Sequence, residues 1–157
     1  MEFSRRAWLC FAAGASAGLN GQSLFNEFTL ELDFRISKGG NSGVFIRQPL
    51  RPFSASGDGR PGQRPDDGVE IRIDYNDPKN LTGSVYNLQK ATPVPGGEER
   101  WNRFRIECSG SRVKMLLGGE WVNDYGALKS PKGAIGLQIH GGRPHDHVVR
   151  FRNLVLI

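Results

Sequence analysis

Phe28-Thr29-Leu30-Glu31-Leu32-Asp33-Phe34-Arg35-Ile36 decides the fold class. Apolar side chains take every second position and polar ones the positions between, the period of a strand with one buried and one wet face. The same period recurs downstream. Val69, Ile71 and Ile73 alternate with Glu70, Arg72 and Asp74; Phe104, Ile106 and Cys108 share a face; Val113, Met115 and Leu117 follow after a turn; Ile135, Leu137 and Ile139 alternate with Gly136, Gln138 and His140. Gly43 to Arg47 is more continuously apolar, Ser84 to Leu88 is a short strand carrying Tyr86, and Trp121-Val122 begins another. Val149, Phe151, Leu154 and Leu156 form a last strand whose alternation breaks near Asn153, as at a bulge.

Gly, Pro, Asn and Asp cluster between these runs, at Lys38–Asn41, Asn76–Asn80, Pro93–Gly97, Ser109–Ser111 and Gly118-Gly119. No long stretch repeats apolar residues at helical spacing. About eight or nine strands with closely spaced turns predict an all-β domain of two antiparallel sheets packed as a sandwich. Gln48 to Gly68 differs in kind: Pro49, Pro52, Pro61 and Pro65 with Arg51, Arg60 and Arg64 make it a long connection of the sort that often carries binding residues.

The 157 residues suit one domain, and the formal charge of +5 is spread along the chain. No Lys/Arg block marks a nucleic-acid arm, so nucleic acid is not an expected partner. At the start, Arg5-Arg6 precedes a short apolar run, Ala7 to Ala15, and Ala15-Ser16-Ala17 offers small residues for cleavage. The run is too short for a permanent membrane span. Residues 1–17 therefore read as an export signal of twin-arginine type, residues 18–157 as the single sandwich domain, and the location as periplasmic or extracellular. Removal of Cys10 would leave Cys108 without a disulfide partner, and its place in the alternation makes it an inert core thiol.

On the strands, Glu70, Arg72, Asp74, Gln138 and His140 stand opposite core positions, and Arg47 and Tyr86 stand near them. If their strands share a sheet, acid, base, amide and phenol groups converge on one groove suited to a polyhydroxylated ligand; any half-exposed strand, however, shows polar residues of this kind on its outward side. Trp101 and Trp121 could stack on sugar rings, although Trp at strand starts commonly packs on the core rim. His140, His145 and His147 leave a divalent metal open without a diagnostic ligand spacing. A retaining glycosidase needs carboxylates about 5–5.5 Å apart. Glu70 and Asp74 are separated by roughly 13 Å of strand, which argues against that mechanism.

Several stretches taken in order, FTLELDFR (28–35), NSGVFIR (41–47), GVEIRID (68–74), TGSVY (82–86), Trp101-Asn102, GLQIHG (136–141) and VRFRN (149–153), are similar to the 3-keto-disaccharide hydrolase domain family. The resemblance runs from Phe28 to the C-terminus. It implies a concanavalin-like jelly roll and cleavage of 3-keto-glycosides or 3-keto-disaccharides; no cofactor is expected, with a divalent metal left open. A ketone at C3 acidifies the C2 hydrogen, so a base can form an enolate and the C1 substituent can leave by elimination. Under that resemblance Glu70, His140 and Arg47 are the expected catalytic residues, the first two as base or acid and Arg47 at the enolate oxygen. Asp74, Tyr86, Gln138 and Arg72 are the expected substrate-binding residues. Family members carry further early strands where Leu24-Phe25-Asn26 here runs directly into Glu27-Phe28. That leaves three readings open: a minimal domain, a sheet completed by a homodimer or a strand-adding partner at an exposed edge, or a domain that has lost activity. The other reading consistent with the sequence is a non-catalytic carbohydrate-binding or interaction module on the same fold.

Overall fold

The computed structural model describes residues 24–49, 68–139 and 147–157, and the backbone of Trp8–Cys10. The described residues form strands and turns only, so none of their segments is a helix long and apolar enough to cross a membrane. The strands are β1 (Trp8–Cys10), β2 (Phe28–Ile36), β3 (Asn41–Gln48), β4 (Val69–Asp74), β5 (Asn102–Ser109), β6 (Arg112–Leu117), β7 (Glu120–Tyr125), β8 (Ala134–Ile139) and β9 (Val149–Leu156). They build a four-stranded sheet in the order β1-β8-β3-β4 and a five-stranded sheet in the order β7-β6-β5-β2-β9. Every pairing is antiparallel. The all-β, two-sheet expectation holds.

The core lies between the sheets. Phe28, Leu30, Leu32, Phe34 and Ile36 of β2 meet Phe104 and Ile106 of β5, Val113, Met115 and Leu117 of β6, and Val44, Ile46, Ile71, Ile73, Ile135 and Leu137 of the other sheet. Apolar burial of this kind supplies the main driving force for the fold. Cys108 joins this core as a buried free thiol. Burial pushes its pKa up, opposed in part by the Arg47 guanidinium. The outward side of the five-stranded sheet is a lattice of ion pairs: Glu31 with Arg103 and Arg105, Arg105 with Glu107, and Asp33 with Arg152.

Three bulges interrupt the alternation. In β9 one extra residue falls between the positions facing Glu31 and Asp33, and Asn153 takes a φ of 52° there, as the broken alternation predicts. In β7 the extra residue lies between Trp121 and Asn123. The third is in β3 between Phe45 and Gln48, where Arg47 has a φ of 55°. Glycines on both sides admit this kink. A Cβ on Gly68 would lie 2.1 Å from the Ile46 carbonyl oxygen, and one on Gly133 would lie 2.2 Å from the Arg47 carbonyl carbon.

The β3 bulge corrects the expectation for Arg47. Simple alternation puts its side chain on the face away from the core, but the left-handed backbone turns it elsewhere. The guanidinium donates to the carbonyl oxygens of Ser130, at 2.8 Å, and Asn26, at 2.6 Å, and lies beside Cys108. The side chain is a buried tie between the segment before β2 and the segment before β8. Arg47→Met is expected to lower stability by about 2–3 kcal/mol by stranding two carbonyls. Under the function proposed below it should leave kcat/KM of the folded protein unchanged, which chemical denaturation and steady-state kinetics check together.

Two further segments differ from the sequence reading. Ser84 to Leu88 forms no strand but a bridge at Val85 to Ile71, followed by a tight turn. Its backbone still runs along β4, with Gly83 N–H donating to the Arg72 carbonyl, Arg72 N–H to Ser84 and Tyr86 N–H to Glu70. Trp8–Cys10, inside the stretch read as an export signal, pairs with Gly136–Gln138 as the edge strand β1.

Candidate functional site

Residue register lays out the face of the four-stranded sheet that points away from the core. Asp74 stands opposite Asn41. Arg72 stands opposite Gly43, which faces Gln138 on its other side. Glu70 stands opposite Phe45, which faces Gly136. Arg72 and Gln138 thus flank Gly43 in one row, about 10 Å apart at their Cα atoms. Tyr86 comes from the segment along β4 and lies under Arg72, whose guanidinium carbon is 4.8 Å from the ring centroid. Of the residues expected from sequence, Glu70, Arg72, Asp74, Tyr86 and Gln138 come together here and Arg47 does not. His140 and His145 lie outside the described residues. Among those described, no three His, Cys, Asp or Glu side chains converge as metal ligands.

Arg72 organises the cluster. One terminal nitrogen bonds Glu70 Oε1 at 3.0 Å and the other bonds Asp74 Oδ2 at 3.3 Å. All three side chains are buried. Burial raises the Glu70 pKa above its ordinary value of 4.5; Arg72 opposes the shift and the Asp74 charge reinforces it. The two carboxylates are not equivalent. Asp74 Oδ1 also accepts the backbone N–H groups of Asn76 and Asp77 and so caps the turn after β4. Asp74 is therefore a strut for Arg72 and for the turn, while Glu70 Oε2 takes no hydrogen bond from the described residues.

Unpaired polar atoms mark the same face. Arg72 Nε, Asn41 Oδ1 and Gln138 Oε1 are buried without a hydrogen-bond partner. Buried polar atoms are nearly always paired, so three on one face call for an explanation. They comprise one cationic donor and two neutral acceptors, a set that complements hydroxyl and carbonyl groups. Phe45, fully buried on this face, adds an apolar surface beside Glu70.

Sequence reasoning missed Asn41, Gly43 and Phe45. Their signal was the apolar character of β3 on both faces, which marks a strand covered on each side. Gly43 has a steric role: a Cβ there would sit 2.7 Å from Glu70 Oε1 and 2.8 Å from Glu70 Cγ. Gly43→Ala is expected to push the Glu70 side chain off Arg72 and, under the function proposed below, to cut turnover about tenfold to a hundredfold. The melting temperature should change little. Kinetics beside a thermal melt separate the two effects.

The model of the 3-keto-alpha-glucoside-1,2-lyase-like domain matches residues 12–157. The chain belongs to that family. Among curated proteins no match was found. Solved structures share the family's jelly-roll architecture with this chain. A protein from Parabacteroides distasonis, provisionally described as a glycosyl hydrolase, superposes with a TM-score of 0.69 at 21% identity, covering 100% of this chain and 83% of its own. The carbohydrate-binding module CBM66 from Bacillus subtilis gives 0.59 at 18% identity over 95% of this chain and 94% of its own. The galectin LEC-6 of Caenorhabditis elegans gives 0.54 at 10% identity over 98% of this chain and 95% of its own. At these identities the likeness is one of fold.

Proposed function

We propose that this member of the 3-keto-alpha-glucoside-1,2-lyase-like domain family cleaves 3-keto-glucosides by elimination across C1 and C2. The observation that carries the reading is Glu70: a desolvated carboxylate with raised pKa, fixed by Arg72, on a face with three unpaired polar atoms. A carboxylate in that setting is a stronger base than one in water.

In this scheme Glu70 takes the C2 proton. The C–H electron pair forms the C2–C3 double bond, and the ketone oxygen becomes an enolate oxygen. Arg72, with Nε–H unengaged, is the cation available to that charge and takes the role that the sequence reading gave to Arg47. Collapse of the enolate expels the C1 oxygen, which takes up a proton and leaves as the alcohol. The products are a 2-hydroxy-3-keto glycal and the aglycone; water added at C1 makes the net result a hydrolysis. Tyr86, Gln138 and Asn41 orient hydroxyls, and Asp74 supports Arg72. His140 is assigned as the acid for the leaving oxygen from its place in the sequence alternation. Export to the periplasm or beyond, by way of residues 1–17, is part of the same proposal.

The test is incubation of the purified protein with 3-keto-trehalose and with a 3-keto-β-glucoside, each with and without a chelator. Release of the glucose or the aglycone supports the reading, and sensitivity to the chelator would reopen the metal question around His140, His145 and His147. Sugar binding with no release from a folded chain would overturn it in favour of a binding module.

A further inference from the structure

The surface around Trp121 stands apart from the Glu70–Arg72 face. It lies on β7, an edge of the five-stranded sheet, whereas the cluster lies on the outward side of the other sheet. Trp121 is 51% exposed, the one tryptophan among the large exposed apolar residues described. The β7 bulge sends Val122 into the core and leaves Trp121 outside it. Beside the indole is a depression of about 450 Å³, lined by Gln89, Lys90, Thr92, Lys114 and Asp124 among others.

Its walls are held rigid by hydrogen bonds. Gln89 Nε2 donates to Asn123 Oδ1 at 2.6 Å and to the Asp124 carbonyl at 2.9 Å. Asn123 Nδ2 donates in return to the Gly83 and Gln89 carbonyls. Its charges are unbalanced. Asp124 is taken up by a two-bond pair with Arg112, at 2.5 and 2.6 Å. Lys114 stands over the indole, 5.4 Å from the ring centroid, and directly opposite Asp124, so that Lys114 and Arg112 share one carboxylate, while Lys90 is exposed and makes no ion pair among the described residues. An exposed aromatic plate, a rigid polar wall and a local excess of cations, Lys90, Lys114 and Arg112 against Asp124, complement a sugar ring that carries an acidic group.

We infer that the Trp121 surface is a second saccharide-binding site, selective for acidic sugars such as uronates, and separate from the Glu70–Arg72 face. It would hold an anionic polysaccharide while that face acts on its own substrate.

The test is calorimetric titration of the full chain with tetragalacturonate and with the same oligomer methyl-esterified, which loses the charge and gains one methyl group per sugar. The acidic form is expected to bind, more weakly as salt rises, and the ester at least about tenfold less tightly. Trp121→Ala should weaken binding of the acid about threefold to tenfold, an effect in the range of one lost aromatic stack. The double variant Lys90→Gln/Lys114→Gln should remove the preference for acid over ester. Both changes are at the surface, and a thermal melt checks that they fold. Equal affinity for the two forms, binding unaltered in Trp121→Ala, or no binding of either oligomer would each overturn the inference. No 3-keto-sugar is used, so the outcome is independent of the elimination chemistry.

Discussion

Glu70→Gln is expected to reduce kcat on a 3-keto-glucoside by about a hundredfold to ten-thousandfold, the range supplied by a positioned general base. The fold should survive, because the amide keeps the size of the side chain and can still accept a bond from Arg72. Stability should move in an informative direction. The Glu70 pKa is raised in the folded protein, so the folded state holds its proton more tightly than the unfolded state. Its contribution to stability is therefore fully present below the ordinary value of 4.5 and is lost as pH rises through the raised value. The glutamine variant lacks that loss. Its melting temperature relative to the native protein should improve from acid to neutral pH while its activity has gone. The same shift moves the ascending limb of the native pH–rate profile upward from the ordinary carboxylate value of 4.5. Full activity in the variant, or a melting difference that moves the opposite way with pH, would remove Glu70 from the role.

Arg72 carries the second large effect. Arg72→Met leaves Glu70 and Asp74 facing each other across a buried site with no cation between them. Loss of one partner of a buried ion pair costs about 3–5 kcal/mol. A large fall in the denaturation midpoint is expected, with loss of turnover. Arg72→Lys separates charge from geometry. It restores a cation, but a single ammonium cannot reproduce the fork that reaches Glu70 and Asp74 together and still leaves Nε–H unengaged. Much of the stability should return, while kcat stays well below that of the native protein. Recovery of both would mean that only the charge at this position matters.

The strand alternation made much of this architecture legible. Glu70, Arg72 and Asp74 fall on one face because Val69, Ile71 and Ile73 take the other, and no tertiary knowledge is needed for that step. Gln138 could be aligned with them only by assuming that β4 and β8 share a sheet; they do, with β3 between them. Arg47 shows where the period fails. One extra residue in β3 reverses a side chain, and the glycines that admit the kink, Gly68 and Gly133, lie far from Arg47 in sequence. Asn153 was legible as a bulge because apolar residues on either side of it fall out of phase, whereas the residues around Arg47 are apolar or buried on both faces and show no phase to lose. Trp121 was left open between a sugar platform and the core rim; it is half exposed, and the β7 bulge that sets its direction has no mark in the sequence.

The central claim is that Glu70 removes the C2 proton before the C1 bond breaks. A 3-keto-glucoside deuterated at C2, followed by NMR against a control without protein, tests it most directly. The account predicts one deuteron released to water for each aglycone set free by the native protein, and neither released by Glu70→Gln. Aglycone released with the deuterium still at C2 of the sugar would contradict it.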